Sequence, residues 1–226
     1  MNYSKDINLP KSWLTFIDKT LLDDVLCKLQ MEINKYPDAY FYPYNMDDIF
    51  KIFYLCDLKN INVVILGQDP YYSSKLQANG IAFSVNKNVA IPASLRNIFK
   101  EANVKSCHGD LSDWVKQGVF LLNASLTVRE KRPNSHEYIW RDFIQHIINI
   151  INIHCENVIF VSWGASAYKK YDNLNLVKHQ LLTSSHPSPL SCYKTTTPFI
   201  GSNVFNKINQ MLIERKKTPI VWSIIQ

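Results

Sequence analysis

Short apolar runs alternate with longer amphipathic stretches along most of this chain. Four runs of four to six residues predict strands, and they lie at positions 61–66, 119–122, 158–161 and 180–183. Between them apolar residues recur at helical spacing, most clearly over 140–154, where one face carries Ile144, Ile147, Ile148 and Ile151. Apolar strands that alternate with helices are typical of a parallel sheet with both faces covered. The pattern therefore predicts an α/β fold, with a central four-stranded parallel sheet and helices on both faces.

Other periodic segments predict further helices. They lie at 21–33, 46–55, 94–104, 111–117, from about 164, and at 204–215, and a polar loop is expected over 127–135. Asn45 and Ser94 are the expected N-caps of the helices that follow them, and Gly118 ends the helix before it. No internal repeat or low-complexity linker interrupts the sequence. We therefore expect the whole chain, 1–226, to form one domain, with 1–20 as its lead-in.

Composition and charge narrow the class of protein without naming a partner. Lys and Arg number 25 and Asp and Glu 19, so the net charge is +6, which suits phosphate contacts but is common among soluble proteins. Five dispersed cysteines form no Cys-x-x-Cys pair, which favours free thiols in a reducing compartment over a zinc site or an iron–sulfur cluster. The histidines form no ligand motif, and no apolar run is long enough to span a membrane. We expect no metal and no membrane contact.

Two short segments at strand ends carry the candidate chemistry. Gly67-Gln68-Asp69-Pro70-Tyr71-Tyr72 follows the first predicted strand, and His186-Pro187-Ser188-Pro189-Leu190-Ser191 follows the last. In an open α/β sheet, ligands bind at the carboxyl ends of the strands. Taken alone, Asp69 could be an ordinary Asp-Pro turn and His186 an ordinary loop residue. Together, a carboxylate and an imidazole at this edge indicate a catalytic site.

The two segments resemble the signature pair of the family 1 uracil-DNA glycosylases. The resemblance spans roughly residues 60 to 222 and continues through Phe83-Ser84-Val85, Ile91-Pro92-Ala93-Ser94-Leu95, Leu121-Leu122-Asn123 and Trp163-Gly164. It implies a monofunctional DNA repair enzyme that flips deoxyuridine out of DNA and hydrolyses the N-glycosidic bond. The products would be uracil and an abasic site, and neither metal nor cofactor would be needed.

The resemblance assigns the two catalytic roles to Asp69 and His186. Bond cleavage gives the sugar oxocarbenium character and leaves negative charge on uracil. Asp69 would orient or activate the water and stabilise the cation. His186, as a neutral imidazole, would donate a hydrogen bond to uracil O2 as charge develops there, in the manner of an oxyanion hole.

Base recognition is implied at four further residues. The carboxamide of Asn123 offers a donor and an acceptor that match uracil O4 and N3–H, a pattern that cytosine reverses. Phe83 would stack on the base, and the Tyr71 ring would occupy the space that the C5 methyl of thymine needs. Gln68 would contribute its backbone and amide. On the residues alone, Asn123 could instead begin a turn, and the two aromatic rings could be core residues.

DNA contacts are implied on two loops and one helix start. Leu190, an apolar residue in a proline-stiffened polar loop, would act as a wedge in the base stack. Ser94, Ser188, Ser191 and the amide of Gly164 would contact phosphates, although Ser94 could be simply a helix cap. The expected partners are single- and double-stranded DNA containing uracil, and a DNA-mimic protein inhibitor; we expect a monomer.

The chain departs from the family pattern at four positions. Tyr72 and Asn79 stand where histidines are usual, Ala165 replaces a serine, and Lys194 replaces an arginine. Two other functions stay open at this point: a DNA-binding scaffold that retains the fold, and a relative that acts on thymine or other bases. The intact Asp69, Asn123 and His186 oppose lost catalysis, and Tyr71 opposes thymine. We expect a cytoplasmic enzyme if the source is bacterial, and one in another DNA-containing compartment if it is eukaryotic or viral.

Overall fold

The computed structural model describes residues 9–224. Its strands in chain order are β1 (Phe41–Tyr42), β2 (Val63–Gly67), β3 (Val119–Asn123), β4 (Val128–Arg129), β5 (Ile159–Trp163) and β6 (Gln180–Ser184). Its α-helices are α1 (Lys11–Leu14), α2 (Lys19–Lys35), α3 (Lys51–Leu55), α4 (Ala93–Glu101), α5 (Ser112–Val115), α6 (Glu137–His154), α7 (Ala165–Lys169) and α8 (Val204–Glu214). None of these helices combines the length and apolar character that crossing a membrane would require.

The central sheet has four strands, all parallel, in the order β3-β2-β5-β6. Every residue of β2, β3 and β5 is buried, which explains why these runs are apolar throughout rather than alternating. The predicted α/β class and parallel sheet are confirmed. Each strand of the central sheet ends one or two residues later than predicted. Gly67 and Asn123 are therefore the last residues of β2 and β3, and they lie opposite each other in register.

The order of the strands fixes where a ligand can bind. The chain steps from β2 outward to β3, then crosses back over β2 to β5 and on to β6. Because crossovers between parallel strands are right-handed as a rule, the two opposite directions assign α4 and α5 to one face and α6 and α7 to the other. The direction of the connections along the sheet reverses next to β2. This position is the topological switch point, where the carboxyl ends of the strands in an open α/β sheet form a crevice.

The described part of the N-terminal lead-in packs against the core. Trp13 of α1 is fully buried, and its ring stacks on Phe120 of β3 with centroids 5.1 Å apart. Its indole N–H donates to the carbonyl oxygen of Cys56 at 3.0 Å. The first part of the predicted lead-in, residues 1–8, lies outside the described residues.

Several predicted boundaries are wrong, each for a local reason. The helix expected over 46–55 is divided: Asn45 caps a 3-10 helix, Met46–Asp48, and α3 follows separately. Ser94 is not a cap, because Pro92 is the N-cap of α4 and no side chain caps that end. The polar loop at 127–135 contains β4, which pairs antiparallel with β1, and α6 begins directly after this loop at Glu137.

Candidate active site

A cavity of about 300 Å³ lies at the carboxyl edge of the sheet, over the ends of β2 and β3. It is lined by residues of both signature segments, although these are more than 110 positions apart in sequence. Of the residues predicted for the site, seven line this cavity: Gln68, Asp69, Tyr71, Phe83, Ser94, Asn123 and His186. Gly164, Ser188, Leu190 and Ser191 do not line it.

The carboxylate of Asp69 has one oxygen held and one oxygen free. Oδ2 accepts hydrogen bonds from the backbone N–H of Asn134 at 2.8 Å and from Gln68 Nε2 at 3.3 Å. Oδ1 is buried and has no hydrogen-bond partner among residues 9–224. Burial raises the pKa of the carboxyl group, and the hydrogen bonds from Asn134 and Gln68 oppose that rise. Asp69 therefore keeps one carboxylate oxygen without a hydrogen-bond partner in the described residues, and the raised pKa makes the carboxylate a better base.

Asn134, which positions Asp69, was missed by the sequence analysis. It adopts a left-handed backbone conformation with φ 60°, which asparagine tolerates better than most residues. Its side-chain oxygen also accepts from Gln68 Nε2 at 2.9 Å, so the Gln68 amide is directed at Asn134 and Asp69. The Pro-Asn-Ser sequence is a turn signal, but nothing local indicates that this turn contacts a residue 65 positions away.

The protonation state of His186 follows from its hydrogen bond. The backbone N–H of Ser188 donates to Nδ1 of His186 at 3.0 Å, so Nδ1 acts as an acceptor and carries no proton. The proton of the neutral ring is then on Nε2, which becomes a donor. Burial lowers the pKa of this histidine below its ordinary value, which favours the same neutral form. The site therefore holds a neutral hydrogen-bond donor.

Asn123 and Gly67 depend on each other at the end of two adjacent strands. A Cβ atom on Gly67 would overlap Oδ1 of Asn123 and would come within 2.9 Å of the Ala82 Cβ atom. The absent side chain at Gly67 is what allows the Asn123 carboxamide to sit at the cavity. Asn123 is 6% exposed, and no hydrogen bond within residues 9–224 engages its carboxamide. Its donor and its acceptor are both available to a ligand.

Phe83 is held in a conformation that is unusual for an aromatic residue. Its φ is 64°, in the left-handed region, which costs on the order of 1–3 kcal/mol for a residue other than glycine. The preceding N–H, of Ala82, donates to the carbonyl oxygen of Leu121 at 3.0 Å and so ties the segment to β3. The Phe83 ring lies 5.2 Å from Trp163 and 6.0 Å from His186, centroid to centroid. This conformation places the buried Phe83 ring at the wall of the cavity.

Tyr71 contributes its ring rather than its hydroxyl group. The hydroxyl is buried and has no hydrogen-bond partner among the described residues. Burial also raises the pKa of the phenol, so the group stays neutral. Without a polar partner, Tyr71 acts on a ligand in the cavity through its shape.

The predicted DNA contacts lie beside the cavity. Leu190 is 79% exposed at the tip of its loop, where an apolar residue gains nothing from the protein core. Behind it, the hydroxyl groups of Ser188 and Ser191 lie 2.8 Å apart, and Asn97 of α4 donates to the carbonyl oxygen of Pro187 at 2.8 Å. The N–H of Gly164 donates to the carbonyl oxygen of Ser184 at 2.8 Å in the free protein, and its contact with phosphate stays a prediction.

The residues that depart from the family pattern have different surroundings. Tyr72 lines the cavity. Asn79 is buried, and its Nδ2 donates to the hydroxyl oxygen of Ser84 at 3.0 Å, a contact within the loop that joins β2 to α4. Ala165 is exposed at the first position of α7. Within residues 9–224, no group of three His, Cys, Asp or Glu side chains could hold a metal ion.

Comparison with known proteins identifies the family. A model of the uracil DNA glycosylase superfamily matches residues 53–213. A "Uracil-DNA glycosylase" of Buchnera aphidicola subsp. Acyrthosiphon pisum is 46% identical over 191 residues, covering 81% of this chain and 84% of the relative. One of Amoebophilus asiaticus is 42% identical over 223 residues, covering 96% and 99%.

Solved structures agree with the sequence relatives. The crystal structure of the mimivirus uracil-DNA glycosylase is 30% identical, with a TM-score of 0.87, and the match covers 96% of this chain and 88% of the other. A variant of the mimivirus protein in complex with UGI gives a TM-score of 0.90 at 29% identity, covering 99% and 93%. The predicted enzyme class, a glycosylase of DNA repair that hydrolyses an N-glycosyl bond, is confirmed. The chain belongs to the uracil DNA glycosylase superfamily.

Proposed function

We propose that the cavity binds a uracil base flipped out of DNA, and that Asp69 and His186 catalyse its hydrolytic release. The observation that carries this proposal is the pairing of a free carboxylate oxygen with a neutral histidine donor on one cavity. A cavity of about 300 Å³ is open enough to admit a single base. A stacked base would not reach it, so the base has to leave the duplex first.

The two groups divide the charges of the transition state. As the bond between uracil N1 and C1′ breaks, its electron pair moves to the base, and the sugar gains positive charge. The His186 Nε2–H donates to uracil O2, where negative charge accumulates. The Asp69 carboxylate stabilises the sugar cation, and its free Oδ1 accepts a proton from the water that attacks C1′. The products are the uracil anion, which then takes up a proton, and an abasic site.

Discrimination between bases rests on Asn123 and Tyr71. The free Asn123 carboxamide can pair with uracil O4 and N3–H together. Cytosine presents the opposite pattern, which would leave buried polar atoms unpaired, and a site of this kind rejects such a base strongly. Thymine presents the same hydrogen-bonding groups as uracil. Its exclusion therefore has to be steric, and the Tyr71 ring is the group that we assign to it.

DNA binding is assigned to the Leu190 loop and its neighbours. The 79% exposed Leu190 would enter the space left by the flipped base, and Ser188 and Ser191 would contact the adjacent backbone. Ser94, in the first turn of α4, would supply a hydroxyl group on the same side of the cavity. Both single- and double-stranded DNA are proposed substrates, because only the wedge requires a stack.

Release of free uracil from an oligonucleotide tests the proposal. The protein should release uracil, and an excess of chelator should leave the rate unchanged. A DNA-binding scaffold would bind the oligonucleotide without releasing the base. A rate that disappears with chelator and returns with a divalent metal would contradict the hydrolysis described above.

Tyr71→Ala and Tyr71→Phe test how thymine is excluded. The alanine variant should release thymine from a thymidine-containing single strand, because removal of the ring opens space for the C5 methyl group. The phenylalanine variant keeps the ring and loses a hydroxyl group that has no partner, so it should keep uracil activity and still reject thymine. If neither variant releases thymine while both release uracil, another residue guards C5.

The proposal also covers a protein inhibitor, the oligomeric state and the cellular compartment. The mimivirus relative binds UGI, and we propose that a DNA-mimic protein inhibitor would dock on this chain through the exposed Leu190 loop. Leu190→Ala should then weaken inhibition. We further propose that the chain acts as a monomer of one domain, in the cytoplasm if it is bacterial and in another DNA-containing compartment otherwise.

A further inference from the structure

Two tyrosine rings hold a lysine ammonium group close to the site. Lys75 Nζ lies 4.1 Å from the centroid of the Tyr40 ring and 4.8 Å from that of Tyr44. The two ring centroids are 6.0 Å apart, and Tyr40 is 42% exposed. We call these three residues the Tyr40–Lys75 cluster. Its charge is held in place at the surface, whereas an ordinary surface lysine is mobile.

The cluster adjoins the cavity at the end opposite the Leu190 loop. Lys75 follows Tyr72 and Ser73, which both line the cavity. The carbonyl oxygen of Tyr40 accepts from the N–H of Glu130 at 2.8 Å, which joins it to the loop whose Pro133 also lines the cavity. Lys75 lies in the loop that follows β2 and Glu130 in the loop that follows β4, whereas the Leu190 loop follows β6 at an edge of the central sheet.

The charge of Lys75 is not neutralised by an acidic group. No carboxylate within residues 9–224 forms an ion pair with Lys75, and this includes Glu130, the acid next to Tyr40 in the fold. Contact with an aromatic face attracts a cation without cancelling its charge. The Tyr40 hydroxyl group raises the pKa of Lys75, so the ammonium form persists. The neighbouring Leu76 is 70% exposed, which adds apolar surface beside the charge.

We propose that the Tyr40–Lys75 cluster binds the DNA strand that leaves the flipped nucleotide on the side away from the Leu190 loop. Lys75 would contact a backbone phosphate, and the exposed part of the Tyr40 ring would pack on a neighbouring base. Positive charge beside an aromatic face is the combination by which proteins hold single strands without sequence preference. This inference rests on the proposed function, because it requires a nucleotide bound in the Asp69 cavity.

Two single-stranded oligonucleotides test the assignment. One carries uracil near its 3′ end with a long 5′ flank, and the other carries it near its 5′ end with a long 3′ flank. Lys75→Gln should lower kcat/KM on only one of them, by about fivefold at 0.1 M salt. A single lost phosphate contact reduces the slope of log affinity against log salt by about 0.7, which amounts to about fivefold between 1 M and 0.1 M salt. Ser191→Ala should act mainly on the other one. Lys59→Gln is the matched control, because Lys59 is exposed and precedes β2 at the opposite edge of the sheet.

Tyr40 provides a second, independent measurement. Tyr40→Leu should weaken the same oligonucleotide that Lys75→Gln weakens, because it removes a stacking surface, and Tyr40→Phe should retain most of the affinity. For the Lys75 and Tyr40 variants kcat at saturating substrate should match the wild type, since neither residue touches the reacting atoms.

Three outcomes would overturn the proposal. Lys75→Gln could match Lys59→Gln on both oligonucleotides, it could lose activity equally on both, or it could lower kcat. The last two would indicate that Lys75 holds the loop in shape. A wild-type protein that releases no uracil from either oligonucleotide would instead contradict the proposed function, so the two failures are distinguishable.

Discussion

Asp69 and His186, the two residues that we propose as catalytic, are held in position in different ways. His186 receives its orienting hydrogen bond from Ser188, two positions further along the same segment. Asp69 receives its own from Asn134, 65 positions away, at the end of a turn that follows another strand. One side of the cavity is therefore assembled by a single short segment, and the other side requires two parts of the chain to meet.

Because of this difference, we expect the two contacts to differ in how well they tolerate changes elsewhere in the fold. A contact between residues i and i+2 survives small movements of the fold, because both partners move together. A contact between distant loops depends on the packing that brings them together, so changes in the loop at 129–135 are transmitted to the Asp69 carboxylate. We expect substitutions around His186 to be tolerated better than substitutions around Asn134, unless they remove the imidazole itself.

Asp69→Asn should have the largest effect, because it removes the charge that stabilises the sugar cation and the base that accepts the proton. Single-turnover release of uracil should fall roughly 10³-fold, with DNA binding retained. The carboxamide oxygen of the variant side chain can still accept the hydrogen bond from the Asn134 N–H, so the melting temperature should change little. A rate within a few fold of wild type would mean that Asp69 is only a turn residue.

His186→Leu should follow, with a loss of about 10²-fold in the chemical step, since it removes one donor to the developing charge on uracil O2. His186→Gln is the matched variant, because its amide can still donate a hydrogen bond, and it should recover part of the rate. Equal rates for the two variants would remove the donor role from His186.

The pH dependence should show both residues. Protonation of Asp69 removes the base, and protonation of His186 abolishes the acceptor for the Ser188 N–H, so activity should fall with acid. Because burial lowers the pKa of His186, the histidine is neutral in the folded protein at and above its ordinary value of 6.5. The same shift means that protonation costs stability only as pH falls below that value. The His186→Gln variant lacks the imidazole, so the acid side of its pH–rate profile should depend on one titrating group fewer.

Asn134→Ala and Asn134→Gly probe the long-range side with a smaller effect. Both keep the N–H that reaches Asp69 and remove the acceptor for Gln68. Only alanine is disfavoured at φ 60°, so the alanine variant should be less stable than the glycine variant by about 1 kcal/mol in denaturant unfolding. Its uracil release should also be several-fold slower. Indistinguishable variants would mean that the backbone conformation at this turn has no influence on Asp69.

Ser188→Ala should have the smallest effect on chemistry. The backbone N–H that orients His186 remains, and only the hydroxyl contact with Ser191 is lost. We expect the single-turnover rate to stay within about twofold of wild type while DNA affinity falls a few fold. A large loss in the chemical step would show that the His186 segment is less self-sufficient than its local hydrogen bond indicates.

The sequence by itself determined the sheet and the chemical groups of the site. The strands could be predicted because burial on both faces leaves a continuous apolar run, as in β2 and β3. Asp69, Asn123 and His186 could be predicted because each stands at or just after a strand end, and Asp69 and His186 each precede a proline. These signals are local, and their meaning does not depend on distant partners.

Only the tertiary structure decided how those groups are held. The bond from Asn134 to Asp69, the occupied amide of Gly164 and the clamp of two tyrosines on Lys75 all join residues from separate segments. The start of α4 was also misplaced: the helix begins right after Pro92, whose fixed φ suits a helix start although its side chain caps nothing, so Ser94 lies inside the first turn. Periodicity records which face of an element is buried, but it carries no information on which loops meet at the edge of the sheet, and it is there that the site is finished.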